Sequence, residues 1–125
     1  MCELENIAYL PWSPLATGML SGKYQKGARP EGSRWTLAQR MGLFRDKPPA
    51  QAATAEYMQI AKKAGITPSQ LALAWCQQVP GVTSTIIGAT TMPQLKENID
   101  AFDLSLSQET LDDVHSVLRQ YPMGF

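Results

Sequence analysis

An α/β fold with a parallel pair of strands is predicted by three features of this sequence. Residues 7–12 (IAYLPW) and 82–87 (VTSTII) are short runs rich in β-branched and aromatic side chains, bounded by turn residues, as buried strands are. Between and after them stand stretches with helical periodicity and recognisable start signals. The resulting order is strand, long loop, helix, helix, strand, helix, helix, and strands alternating with helices imply parallel pairing with right-handed crossovers.

Each element has a local reason. Ser13 and Pro14 close the first run, and Pro11 inside it marks either the end of the strand or a bulge, because proline cannot donate to a ladder. Residues 50–63 (AQAATAEYMQIAKK) are alanine-rich, with Tyr57, Ile60, Ala61 and Ala64 spaced for one helical face, and Gly65 ends the helix. Thr67, Pro68 and Gln70 then offer an N-cap threonine, proline at the first helical position and glutamine at the third, so a second helix runs to about Gln78. Pro80 and Gly81 break it before the second strand. Thr91, Pro93 and Gln94 repeat the capping pattern for a helix ending near Ala101. Ser107 caps a last helix, 108 to about 120, whose apolar stripe is Leu111, Val114, Val117 and Leu118.

The chain has 125 residues, 44% apolar and 18% charged, which suits one domain, residues 1–125, with a core of its own. Eleven basic residues balance eleven acidic ones, which argues against a general binder of nucleic acid or anionic membrane. No apolar run approaches the ~20 residues that span a bilayer, and the first ten residues lack the pattern of a signal peptide. A cytoplasmic protein is expected, with Cys2 and Cys76 as free thiols and no metal site.

Neutrality conceals a dipolar arrangement. Residues 23–47 hold seven bases (Lys23, Lys26, Arg29, Arg34, Arg40, Arg45, Lys47) against Glu31 and Asp46, a local charge of plus five, interleaved with glycine and proline as in a long surface loop. Residues 97–113 hold six acids and no base. Charge runs are usually solvated faces, but long loops without regular structure are more often functional or disordered than incidental, so the basic stretch is a candidate for meeting a small anion. Two junctions where a strand feeds a turn and a helical N-terminus have anion-site geometry: residues 12–18 with Ser21 and Lys23, and residues 88–91 with Gln94, Glu97 and Asn98. Capping and surface polarity are the commoner account of such residues. Trp12 and Trp75 read as core, His115 as a solvated residue of the acidic last helix, and Met19, Met41, Met58 and Met92 as packing or surface.

The strings WSPLATGMLSGKY (12–24), GITPSQLALAW (65–75) and VTSTIIGATTMPQLKENIDAFDLSLSQE (82–109) together resemble the carboxy-terminal part of the aldo-keto reductase family, in the branch of Tas-like reductases and potassium channel β subunits. The resemblance implies an NADP(H)-dependent oxidoreductase that reduces a carbonyl to an alcohol. It also implies a partial (β/α)8 TIM barrel, comprising about the last two strands and their helices. Such barrels build phosphate sites after strands seven and eight.

Carried over position by position, Trp12, Ser13, Pro14, Leu15, Ala16 and Thr17 match the stretch beside the nicotinamide and pyrophosphate, and Ser21 and Lys23 match pyrophosphate contacts. Arg34 matches a loop arginine which, with Lys23, would fold the basic loop over the cofactor. Gly88, Thr90, Gln94, Glu97 and Asn98 match the region taking the 2′-phosphate and adenine. One departure is Gln94, where many members place arginine; a neutral amide weakens the charge argument for NADP over NAD. The family's catalytic tyrosine, lysine, aspartate and histidine precede this segment, so no catalytic residue is assigned. The expectation is a carboxy-terminal piece inactive by itself. The alternatives are a non-catalytic nucleotide- or partner-binding module and an inert remnant with an exposed apolar sheet.

Overall fold

The computed structural model describes residues 2, 4–37 and 45–122. Arg40, Met41 and Gly42, part of the basic stretch and the methionine set, lie outside them, as does Met1.

Among the described residues five α-helices form: α1 (Arg34–Leu37), α2 (Pro48–Lys63), α3 (Pro68–Gln78), α4 (Met92–Asp100) and α5 (Gln108–Gln120). Short 3-10 turns occupy Ala16–Ser21, Gln25–Gly27 and Ala101–Asp103. The capping signals read from sequence act as expected. Thr67 Oγ1 accepts from Gln70 N–H at 3.1 Å while Thr67 N–H donates to Gln70 Oε1 at 3.0 Å, a complete capping box. Ser107 Oγ accepts from Thr110 N–H at 3.2 Å. At the other end of α2, Gly65 sits at φ 71° and the bonds Gly65 N–H to Lys62 O (3.2 Å) and Ile66 N–H to Ala61 O (3.0 Å) close a Schellman motif.

Helices α2, α3 and α5 enclose the main core of Ala53, Ile60, Ala61, Leu71, Val114 and Val117, with Tyr57, Trp75 and Leu118 packed against it. Most of the expected stripes thus supply the core, although Ala64 falls past the end of α2 and is exposed, and Leu111 is half-buried and not among the residues of this cluster. Gln78 ties the loop before α5 to α3: its Nε2 donates to Leu104 O at 3.2 Å and its Oε1 accepts from Leu106 N–H at 3.3 Å. A second cluster gathers Ala16, Met19, Tyr24, Trp35 and Ala50. The long basic loop is therefore corrected: its described part carries a 3-10 turn and a short helix, and its Tyr24 and Trp35 pack with Ala16, Met19 and Ala50 in this cluster.

The two expected strands also need correction. Among the described residues neither run forms a strand; they are extended segments joined by two isolated parallel bridges, Tyr9 with Val82 and Trp12 with Ile86. Pro11 is the physical reason. It lies between the bridges with no N–H to give, and three steps along the first segment are matched by four along the second, so the pairing bulges there. What survives are the bonds from Thr83 N–H to Tyr9 O and from Ile86 N–H to Pro11 O, each 2.9 Å. The direction of pairing is parallel, as expected. Ile7, Tyr9, Leu10, Trp12 and Ile86 remain exposed on these segments.

Candidate cofactor-binding site

Parallel pairing has one consequence for the site: the carboxy-terminal ends of both segments lie side by side, so the turn after Trp12 and the turn after Ile87 open at the same end. The two junctions singled out in sequence are thereby brought together by the bond from Ile86 N–H to Pro11 O.

The first turn is tightly wound. Ser13 (φ 59°), Ala16 (48°), Thr17 (59°) and Gly18 (95°) all take left-handed conformations, uncommon for residues with a Cβ. The winding consumes donors: Ala16 N–H bonds Ser13 O (2.8 Å), Thr17 N–H bonds Ser13 Oγ (3.2 Å), and Gly18 and Leu20 N–H both bond Leu15 O (2.8 and 3.2 Å). Thr17 Oγ1 donates to Ala16 O at 2.6 Å and Ser21 Oγ to Gly18 O at 2.7 Å, so both hydroxyls keep acceptor capacity while their protons are engaged. Ala16 is buried, Ser13, Pro14, Leu15, Thr17 and Ser21 are half-buried, and Trp12, read from sequence as core, is corrected to 77% exposed at the end of its extended segment. Lys23 is exposed, its ammonium 5.2 Å from the Tyr24 ring centroid and curled toward Gly18.

Trp35, unmarked in the sequence reading because it stands among glycine, proline and arginine, holds this turn in place. Its ring stacks on Tyr24 with centroids 4.0 Å apart and planes 7° from parallel. Its Nε1–H donates to Thr17 Oγ1 at 3.4 Å, and its backbone N–H to Tyr24 Oη at 3.4 Å. The Arg29 guanidinium lies 5.0 Å from the ring centroid and pairs with Asp46. Arg34 opens α1 beside Trp35, with its side chain exposed. An aromatic pair eleven residues apart was the available signal.

At the second turn, Gly88 is exposed and a Cβ there would meet open space. Thr90 donates to Gln94 Oε1 from both N–H and Oγ1, each at 3.0 Å, and Thr91 Oγ1 accepts from Gln94 N–H at 3.4 Å. Gln94 thus closes the turn that precedes α4. Glu97 faces α3 instead, its Oε1 accepting from Thr67 Oγ1 at 2.6 Å. Asn98 is buried, its Nδ2 donating to Gly88 O at 3.4 Å. Gly88, Thr90 and Gln94 gather at the turn, Asn98 braces it, and Glu97 is engaged by α3's N-cap instead. His115 is exposed and both cysteines are free thiols, as read from sequence. Among the described residues no helix is long and apolar enough to cross a membrane.

Comparison with known proteins identifies the family. The family model described as the aldo/keto reductase family matches residues 1–119. The chain is 41% identical to protein tas of Escherichia coli over 119 residues, covering 95% of this chain and 34% of that protein. It is 38% identical over 121 residues to a probable voltage-gated potassium channel subunit beta of Arabidopsis thaliana, covering 94% of this chain and 37% of that one. In fold it is similar to the glycerol dehydrogenase of Gluconobacter oxydans, with a TM-score of 0.70 at 23% identity, over 99% of this chain and 37% of the other. The chain belongs to the aldo/keto reductase family. It spans about a third of the length of the relatives it matches.

Proposed function

We propose that residues 1–125 form the cofactor-holding, carboxy-terminal sector of an NADP(H)-dependent reductase that converts an aldehyde or ketone to an alcohol. The observation that carries this reading is the parallel register that sets the Ser13–Lys23 and Gly88–Gln94 turns at one end of the paired segments, where α/β barrels place their phosphate sites. Parallel sheets are covered on both faces, so the exposed Ile7, Tyr9, Leu10 and Ile86 support a sector that packs against further strands of a (β/α)8 barrel.

The residues fit the anionic half of the cofactor. Lys23 and Arg34 are exposed cations near the first turn, and the acceptor-rich, donor-spent hydroxyls of Thr17 and Ser21 leave charge compensation to those two. Thr90 would turn its hydroxyl from Gln94 to the 2′-phosphate, and the open backbone at Gly88 admits close approach. The adenine half fits once Glu97 leaves Thr67, while Asn98 holds the turn from beneath. When bound, the cofactor supplies hydride; the chain's own residues bind and orient it, with the exposed Trp12 ring beside the nicotinamide. No residue here is assigned to protonate the carbonyl oxygen, so the isolated chain is expected to bind NADPH without turning it over.

Quenching of tryptophan fluorescence by NADPH tests the binding. Saturable quenching that weakens at least tenfold in Lys23→Ala, about 1.4 kcal/mol, agrees with the proposal; equal quenching in both chains contradicts it. NADPH oxidation with a reactive aldehyde tests the rest, since turnover by the purified chain would mean that a proton donor lies within it. The match to channel β subunits supports a second reading, a nucleotide-binding module without catalysis, which would show binding and no turnover even when the remaining barrel sector is supplied.

A further inference from the structure

Trp35 reaches the first turn of the candidate site from 18 residues further along the chain, and it does so by two routes. Its Nε1–H donates to Thr17 Oγ1 at 3.4 Å, and its ring stacks on Tyr24, the ring whose centroid lies 5.2 Å from the Lys23 ammonium. Trp35 and Tyr24 are both buried, and the bond from Trp35 N–H to Tyr24 Oη pins them to each other. Thr17 otherwise bonds within the turn itself, its N–H to Ser13 Oγ and its hydroxyl proton to Ala16 O. A β-branched residue in the left-handed region, here at φ 59°, persists where its surroundings over-determine it. Trp35 supplies that constraint from outside the turn.

A hydroxyl has one proton to give and two lone pairs to accept with. At Thr17 the proton goes to Ala16 O and one lone pair takes the Trp35 Nε1–H, which leaves a single lone pair on a half-buried side chain. Given the cofactor reading above, on which this step rests, we infer that Trp35 is a positioning residue of the site. It fixes the Thr17 hydroxyl as an acceptor, so Thr17 takes a hydrogen bond from a hydroxyl or amide N–H of the dinucleotide and gives none to its phosphates. Ligand-contacting side chains locked by a buried second layer hold the geometry that binding needs, and here the layer is the Trp35–Tyr24 stack.

Trp35→Phe keeps an aromatic ring against Tyr24 and removes the donor to Thr17. Calorimetric titration with NADPH, which does not depend on tryptophan emission, is expected to show binding weakened about threefold or more in Trp35→Phe, the scale of one neutral hydrogen bond. In a Thr17→Ala background Trp35→Phe should change the Kd no further, because the two residues act as one unit. Thr17→Ser, which keeps the hydroxyl, should retain both the affinity and its dependence on Trp35. A merely structural Trp35 would shift the urea midpoint without this dependence on Thr17. Equal NADPH affinity in the parent and Trp35→Phe therefore overturns the role, as do losses from Trp35→Phe and Thr17→Ala that multiply, or a loss in Thr17→Ser as large as in Thr17→Ala. Lys23→Ala separates the two readings. Where it weakens NADPH binding and Trp35→Phe does not, the cofactor reading stands and the role of Trp35 falls; where the parent binds no NADPH, the cofactor reading falls and takes that role with it.

Discussion

Trp35 and Trp12 carry the same ring into opposite surroundings. Trp35 is 5% exposed, stacked on Tyr24 and bonded to Thr17, whereas Trp12 is 77% exposed. Truncating Trp35 to alanine removes the centre of the small core beneath the basic loop and is expected to destabilise the chain by about 3–5 kcal/mol. Truncating Trp12 should stay within about 0.5 kcal/mol of the parent. Urea denaturation of both variants decides between these, and the reverse order would refute the assignment of roles. Tyr57 carries a different kind of signature. Burial, with the nearby Glu56 charge adding, raises its hydroxyl to about 12 from an ordinary 10. A pKa raised on folding contributes stability that is fully present below the unfolded value and is lost as pH rises through the folded one. Stability should therefore fall between about pH 10 and pH 12, and Tyr57→Phe should flatten that part of the curve; identical slopes in both proteins would contradict it.

At the scale of elements, start signals written in a few adjacent residues were legible, and features decided by distant partners were not. The capping box of α3 could be read because Thr67 and Gln70 need only each other. The strands failed as elements because Pro11 interrupts the hydrogen bonding between segments seventy residues apart, although the proline itself was read as a bulge or an end. The order inside the basic loop was hidden because it depends on Trp35 finding Tyr24. Within the candidate site, residue types and turns were readable, but the engagement of Glu97 by Thr67 and of Asn98 by Gly88 arises from packing of α4 on α3 and on the turn. Thr67 therefore joins two elements. Thr67→Ala should lower stability by about 1–2 kcal/mol through the lost cap, and should free Glu97; if the latter is right, NADPH binding is retained or tightened while stability falls. Parallel losses of both would make Thr67 part of the binding surface.

For the whole molecule, the balanced charge resolves into a basic stretch around the first turn and an acidic run along α4 and α5. The structure places helices α2, α3 and α5 around the core and leaves the paired segments with an open apolar face. The chain belongs to the aldo/keto reductase family and spans about a third of the length of the relatives it matches, and its two turns lie at one end of two parallel segments. The central claim is that the two turns act as one site, and amide chemical-shift mapping during an NADPH titration tests it most directly. The account predicts shifts concentrated in residues 13–23 and 88–94, saturating with a single Kd and lost together in Lys23→Ala. Shifts confined to one turn, or scattered over α2 and α5 with both turns silent, would contradict it.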